Sequence, residues 1–422
     1  MFGRSLRVAA LLALLGASAV AADKLEDVLA KQANLTTFRD LVKKHSDIFG
    51  KLPKSGVTVR KIQNGLTDGH TNNEHQILAP SDQAYLKGQG WDADSAVVPV
   101  ALRYGIINGT ISFNSLLPGN SSLEPTLLAD ARYSNVTRGQ SVLVTAQPNG
   151  EVVVTSGLAQ RTTAVKTDIA FDGGLIQVVD SVMVTPARLE KTARDAYQDL
   201  TAFLGALYAA GLAEEFASTP DVTIFAPRNA AFQKVARALE GLSKEDLARV
   251  LRYHLVTSGV VGKSALENGT ELETGADGKK IEVTLYNNDI FIDSARMIQT
   301  DILIANGVVQ VLDAVLNVDA GEVQPNVTAV TQAPVFTITA DGETGSAAPT
   351  PFVSALPCTT DCPVSGGGGG GAGGGGGATA TGGVRPSSST GGVAAARCTG
   401  MAAGVGLGFV AGVLGIEALG VV

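Results

Sequence analysis

Histidines, cysteines and paired polar side chains are what a catalytic or metal site is assembled from, and this chain offers few. The four histidines, His45, His70, His75 and His254, show no metal-ligand spacing, and no cysteine lies between residues 23 and 318 to complete a set. No metal or other cofactor is expected. Gly262-Lys263-Ser264 has the ending of a phosphate-binding loop, but that pattern needs glycine at position 257, where Thr257 stands. No Gly-x-Ser-x-Gly elbow presents a nucleophilic serine. The expectation is a protein without catalysis. What remains is chemistry done to the chain. Asn34, Asn108, Asn120, Asn135, Asn268 and Asn326 each open an Asn-x-Ser/Thr acceptor, a set that points to N-glycosylation.

Glycan acceptors matter only on a chain that enters the secretory route, and both ends read that way. Residues 1–22 combine Arg4 and Arg7, an apolar run from Val8 to Leu15 and small residues at Ala19 to Ala22, the order of a signal peptide. At the other end, residues 393–422 close on an apolar tail that holds Glu417 and is followed by no basic residue. Small residues precede it, so a glycosylphosphatidylinositol attachment signal is expected, with Ser389 as the lipidated residue and Ser388 and Gly391 as rivals. Cys358 and Cys362 are close enough in sequence to form a local disulfide, and Cys398 would leave with the tail. The formal net charge of −8 becomes −10 without Arg4 and Arg7, because Arg397 and Glu417 cancel. That balance argues against nucleic acid, which needs a basic footprint.

The elements that must position these groups occur twice. Thr167-Asp168-Ile169 leads to Gly174-Leu175-Ile176-Gln177-Val178-Val179-Asp180, and Thr300-Asp301-Ile302 leads to Gly307-Val308-Val309-Gln310-Val311-Leu312-Asp313. Upstream, Ile77-Leu78-Ala79-Pro80 with Tyr85 matches Ile224-Phe225-Ala226-Pro227 with Phe232. Two motifs recurring in order mean a duplicated domain, here residues 23–187 and 188–318. Within the first, Leu35, Phe38, Leu41, Val42, His45 and Ile48 keep helical spacing, and Asn149-Gly150 joins two β-rich runs as a hairpin. The stretch from Asn108 to Asn135, bearing three acceptors, reads as a surface insert. In the second, Ser243 and Asp246 form a capping box, and Asn229 is placed to cap the helix it opens. Helices first and strands after give an α+β module. Residues 319–392 are rich in Thr, Ser, Pro and Gly, with glycine throughout 366–377 except Ala372, and read as a disordered stalk.

A strand ending in Ala226-Pro227 and a helix carrying Tyr253-His254 precede the Thr300-Asp301-Ile302 segment. In that order they resemble the fasciclin (FAS1) domain. The resemblance covers both modules, although the first has Tyr104-Gly105 where the second has Tyr253-His254. It implies a wedge of two β-sheets with packed helices in each module, and cell adhesion or matrix attachment as the role. It also implies Tyr253-His254 as a binding motif. Against that, His254 shares a helical face with Val250 and Leu251, which is the pattern of a core histidine. Asp168 and Asp301 read as side chains that satisfy nearby backbone N–H groups.

The functional expectation is an adhesive glycoprotein on the outer face of the plasma membrane or in the cell wall. Its partners would be cell-surface proteins and matrix or wall polysaccharides. The alternatives are a structural or vacuolar glycoprotein without a specific receptor, and a carrier that holds a small apolar ligand.

Overall fold

Each of the two motif sets becomes a seven-stranded sheet, and the two sheets have one topology. The computed structural model describes residues 23–52, 75–88, 90–321, 323–336 and 349–357. The first module opens with helices α1 (Leu25–Ala30), α2 (Thr36–Lys44) and α3 (Ser46–Phe49). Strand β1 (His75–Pro80) leads to α4 (Asp82–Lys87) and α5 (Val98–Tyr104). Then come β2 (Ile106–Asn108), β3 (Ser121–Pro125), β4 (Ser141–Ala146), β5 (Val152–Thr155), β6 (Arg161–Phe171) and β7 (Gly174–Val179). The second module repeats the scheme with α6 (Leu189–Asp195), α7 (Thr201–Ala210), α8 (Ala213–Ser218), β8 (Val222–Pro227), α9 (Asn229–Glu240) and α10 (Lys244–Arg252). Its remaining strands are β9 (Leu255–Val256), β10 (Glu271–Glu273), β11 (Lys280–Tyr286), β12 (Asp289–Ile292), β13 (Ala295–Ile304) and β14 (Gly307–Leu312).

The strand orders are β2-β1-β7-β6-β5-β4-β3 and β9-β8-β14-β13-β12-β11-β10. Among the described strands only β1–β7 and β8–β14 pair parallel, and these four are buried along their whole length, as expected of strands covered on both faces. Glycine is required where each parallel pair begins. A Cβ on Gly174 would lie 1.7 Å from the His75 carbonyl oxygen, and one on Gly307 would lie 1.9 Å from that of Val222.

The repeated Thr-Asp-Ile is a β-bulge in both copies. The register of β6 on β7 slips between Lys166 and Ile169, and that of β13 on β14 slips between Gln299 and Ile302. Asp168 and Asp301 take left-handed φ angles of 56° and 59° there, a conformation that aspartate tolerates better than most residues. The side chain of the repeated glutamine mends the interrupted ladder. The Asp168 N–H donates to Gln177 Oε1 at 2.8 Å and the Asp301 N–H to Gln310 Oε1 at 2.9 Å.

Local signals held where partners are near in sequence. β4 and β5 pair across the Asn149-Gly150 turn, and Ser243 Oγ accepts from the Asp246 N–H at 3.1 Å. Three expectations are corrected. Asn229 does not cap α9; its Oδ1 accepts from the Ala202 N–H at 2.8 Å, tying down the start of α7. Asp82, its counterpart, does the same for α2 through the Thr36 and Thr37 N–H groups at 3.1 and 2.7 Å. The stretch from Asn108 to Asn135 is no surface insert, because it contains β3 and sends Ile111, Phe113 and Leu128 into the core. The predicted stalk also starts later than residue 319. Phe336, Phe352 and Leu356 pack on the core of the second module, and Gly205 in α7 makes room for the Phe352 backbone, whose carbonyl oxygen would lie 2.3 Å from a Cβ there. Aromatic burial outweighs the low-complexity composition of that segment. The terminal signals, Cys358, Cys362 and Ser389 lie outside the described residues.

The modules meet through backbone-directed hydrogen bonds. The Asn135 N–H donates to the Ala305 carbonyl at 2.7 Å, and its Nδ2 donates to the Ser218 carbonyl at 2.6 Å. Asp221 accepts from the Thr137 N–H at 2.8 Å and from the Thr137 hydroxyl. Gln140 Nε2 reaches the Ile304 carbonyl at 3.0 Å.

Candidate functional site

Tyr253 and His254 follow directly on α10, and their position decides what they can do. His254 is 0 % exposed and Tyr253 7 %. The imidazole Nδ1 lies 2.9 Å from the Val250 carbonyl, and Nε2 accepts from the Leu316 N–H at 3.0 Å. That pair of partners fixes a neutral ring protonated on Nδ1. Burial pushes its pKa down to about 4, against a smaller upward pull from the Val250 carbonyl. The Tyr253 hydroxyl lies 2.9 Å from the Lys280 carbonyl and 2.8 Å from Asp293 Oδ2, bridging α10 to the start of β11. Burial raises the Tyr253 phenol and also the Asp293 carboxyl. The assignment of Tyr253-His254 as an adhesive surface is therefore corrected: both side chains are fastened inside the module, and neither presents its polar atoms to a partner.

The first module shows what the histidine is for. Tyr104 repeats the bridge, its hydroxyl donating to the Ser141 carbonyl at 3.0 Å, but Gly105 follows it. A cavity of about 30 Å³ opens there, lined among others by Ala101, Gly105 and Met183. These are the counterparts of Val250, His254 and Leu316. Trp91 closes the mouth against Tyr85, with ring centroids 4.5 Å apart.

The repeated aspartates are structural in the same sense. Asp168 gathers the Phe113 and Asn114 N–H groups at 3.0 and 3.1 Å, the Ser112 hydroxyl at 2.7 Å and Gln177 Nε2 at 2.8 Å. Burial alone would raise its carboxyl, but these four donors outweigh it and hold the pKa below the usual range. Asp301 is more deeply buried and accepts from the Lys263 N–H and Gln310 Nε2, each at 2.9 Å, so burial prevails and raises it. Each carboxylate pins a single 3₁₀ turn, Phe113–Ser115 or Lys263–Ala265, beside its bulge. Gly262-Lys263-Ser264, which resembled a phosphate loop, is that turn.

The acceptor asparagines lie at the surface, although the Asn135 amide is turned to the Ser218 carbonyl across the joint. Asn34, Asn108, Asn135, Asn268 and Asn326 are exposed and Asn120 is half-buried. Asn326 already holds a compact turn, its Oδ1 accepting from the Thr328 hydroxyl at 2.9 Å. Among the described residues, no group of three or more His, Cys, Asp or Glu could hold a metal ion, and no helix is long and apolar enough to cross a membrane.

A second, wider concavity lies between the modules, where sequence reasoning had no means to place it. It encloses about 690 Å³, within the range of ligand-binding clefts. One wall is β3 with Asn108 and the 136–139 loop; the other is 258–262 with Ser264 and Glu267. Its lining carries three carboxylates, Glu124, Asp221 and Glu267, and one cation, Arg138. The lining mixes hydroxyls, carboxylates and glycine backbone and contains no aromatic ring.

The fasciclin domain family matches residues 198–318. The chain is 32 % identical over 268 residues to a fasciclin-like arabinogalactan protein of Arthroderma benhamiae, covering 62 % of this chain and 62 % of that protein, so it spans less than two thirds of that relative. It is 28 % identical over 305 residues to the fasciclin-like arabinogalactan protein CTB11 of Cercospora beticola, covering 71 % and 77 %. A solved FAS1 domain pair from the insect cell adhesion molecule Fasciclin I aligns with a TM-score of 0.30 at 17 % identity, over 58 % of this chain and 88 % of that one. The matched region coincides with the second module, whose strand order the first module repeats. Residues 198–318 thus form a fasciclin domain, and the first module repeats its strand order in tandem.

Proposed function

We propose that the chain is a glycoprotein of the outer cell surface or wall, tethered by a glycosylphosphatidylinositol lipid and acting by adhesion without catalysis. Its partners would be neighbouring surface proteins and wall or matrix polysaccharides. The observation that carries the reading is the placement of the six acceptor asparagines, spread over both modules and the segment beyond them, with five exposed and one half-buried. The similarity to fungal fasciclin-like arabinogalactan proteins supports it. Contact has to come from surfaces other than Tyr253-His254, and joining two weakly binding modules rigidly raises their combined grip.

The small-ligand carrier gains little from the first module. A cavity of about 30 Å³ holds a water-sized guest, far below the several hundred Å³ of ordinary ligand pockets. The test of the adhesive reading is saturable binding of the secreted, glycosylated chain to wall polysaccharides and surface proteins, together with its release from intact cells by a phosphatidylinositol-specific phospholipase. Failure to bind any substratum would defeat the adhesive role. A lumenal pool in untreated cells that phospholipase does not change would favour the structural or vacuolar alternative.

A further inference from the structure

We infer that the cleft between the modules is filled by the chain's own N-glycan, carried on Asn108. The inference rests on the glycoprotein reading above and adds the place and role of one modification. Asn108 is exposed at the end of β2 and is itself part of the cleft wall. A sugar chain attached there starts at the wall of the concavity. The walls suit such an occupant. The exposed Ser258 and Ser264 offer hydroxyls, Arg138 donates, and Glu267 accepts, which matches the mixed donors and acceptors of sugar hydroxyls and acetamides. Three carboxylates against one guanidinium disfavour an anionic ligand, so a neutral glycan is preferred. The volume of about 690 Å³ is of the size that takes a drug-sized group, as a two-sugar core is.

Tethering supplies the affinity that the lining lacks. Without an aromatic platform the sugar contacts are weak, but a short tether holds the glycan at an effective concentration in the millimolar range. A site with millimolar intrinsic affinity is then at least half occupied. The glycan so placed touches β3 of the first module and the 258–262 loop of the second at once, acting as a wedge that reinforces the joint made by Asn135, Thr137 and Asp221.

The experiment is glycopeptide mass spectrometry on the secreted full chain, followed by amide hydrogen exchange of the 258–267 segment. Exchange is compared before and after enzymatic removal of N-glycans under native conditions, and in Asn108→Gln with Asn326→Gln as control. The expected result is an occupied Asn108 and exchange in 258–267 that quickens roughly five- to tenfold on deglycosylation or in Asn108→Gln, but not in Asn326→Gln. Enzymatic removal leaves the folding history intact, so the proposal stays testable if Asn108→Gln is not secreted. Glycans on other acceptors with Asn108 bare would overturn the proposal and leave the glycoprotein reading standing. An occupied Asn108 with unchanged exchange would also overturn it. Protection that falls on dilution, with or without glycan, would assign the cleft to a second copy of the chain. Glycans on no acceptor at all would remove both readings together.

Discussion

Replacing His254 by alanine should cost the second module about 3–5 kcal/mol, and the structure states why. The imidazole is 0 % exposed, accepts from the Leu316 N–H and engages the Val250 carbonyl. Removing it strands a buried N–H, at about 1–3 kcal/mol, and leaves a ring-sized void beside Phe203 at about 2 kcal/mol more. With a urea slope of about 1.5 kcal/mol per M, the midpoint falls by about 2–3 M. The chain's one tryptophan, Trp91, lies in the first module, so its fluorescence follows that module while hydrogen exchange of β8 and β14 follows the second. The same side chain sets a pH dependence. Its folded pKa of about 4 lies below the ordinary 6.5, so the unfolded chain binds the proton more tightly. The stability it gives is complete above pH 6.5 and is lost as pH falls toward 4, to the extent of roughly 3 kcal/mol. Asp293 and Asp301, raised by burial, work in the opposite sense, but they remain in the variant and cancel from the difference. A loss below about 1 kcal/mol at pH 7, or an unchanged slope between pH 6.5 and 4 in His254→Ala, would refute the buried-neutral account.

Gly105→His should destabilise the first module by about 1–3 kcal/mol, read as an earlier Trp91 transition, since a cavity of about 30 Å³ is too small for an imidazole and the added Cβ already lies 3.3 Å from the Leu78 carbonyl oxygen. Gly307→Ala should abolish folding of the second module, because the Cβ would sit 1.9 Å from the Val222 carbonyl oxygen; recovery of soluble protein with a native far-ultraviolet spectrum would contradict this. Asp221→Gly keeps the left-handed φ of 54° while deleting the Thr137 contacts, so each module should stay folded while solution scattering shows the pair loosened and proteases cut between them. Asp168→Asn should lower first-module stability by about 1–2 kcal/mol at pH 7 and flatten its acid limb below pH 4, because a carboxyl held below its usual range gives stability that protonation removes.

What the sequence determined by itself was whatever depends on neighbours in the chain. Ala79-Pro80 and Ala226-Pro227 end their strands because proline cannot extend a ladder, Asn149-Gly150 turns a hairpin, Ser243 caps α10, and the repeated Gly and Gln announce the same parallel pair and the same bulge in each copy. The Ala-Pro-x-Asp/Asn repeat also hid a legible signal, since Asp82 and Asn229 stand at matching positions to clamp α2 and α7, elements that precede them by dozens of residues. Tertiary structure decided the rest. Helical spacing put His254 on an apolar face but could not say that Leu316 would close over its Nε2. Composition marked the segment after residue 319 as stalk, yet Phe336 and Phe352 found an apolar surface on the second module to pack against, each half-buried. The joint and its cleft join side chains about 85–165 residues apart, and such pairings are set by how two finished modules pack, for which no local pattern of residue types carries a record.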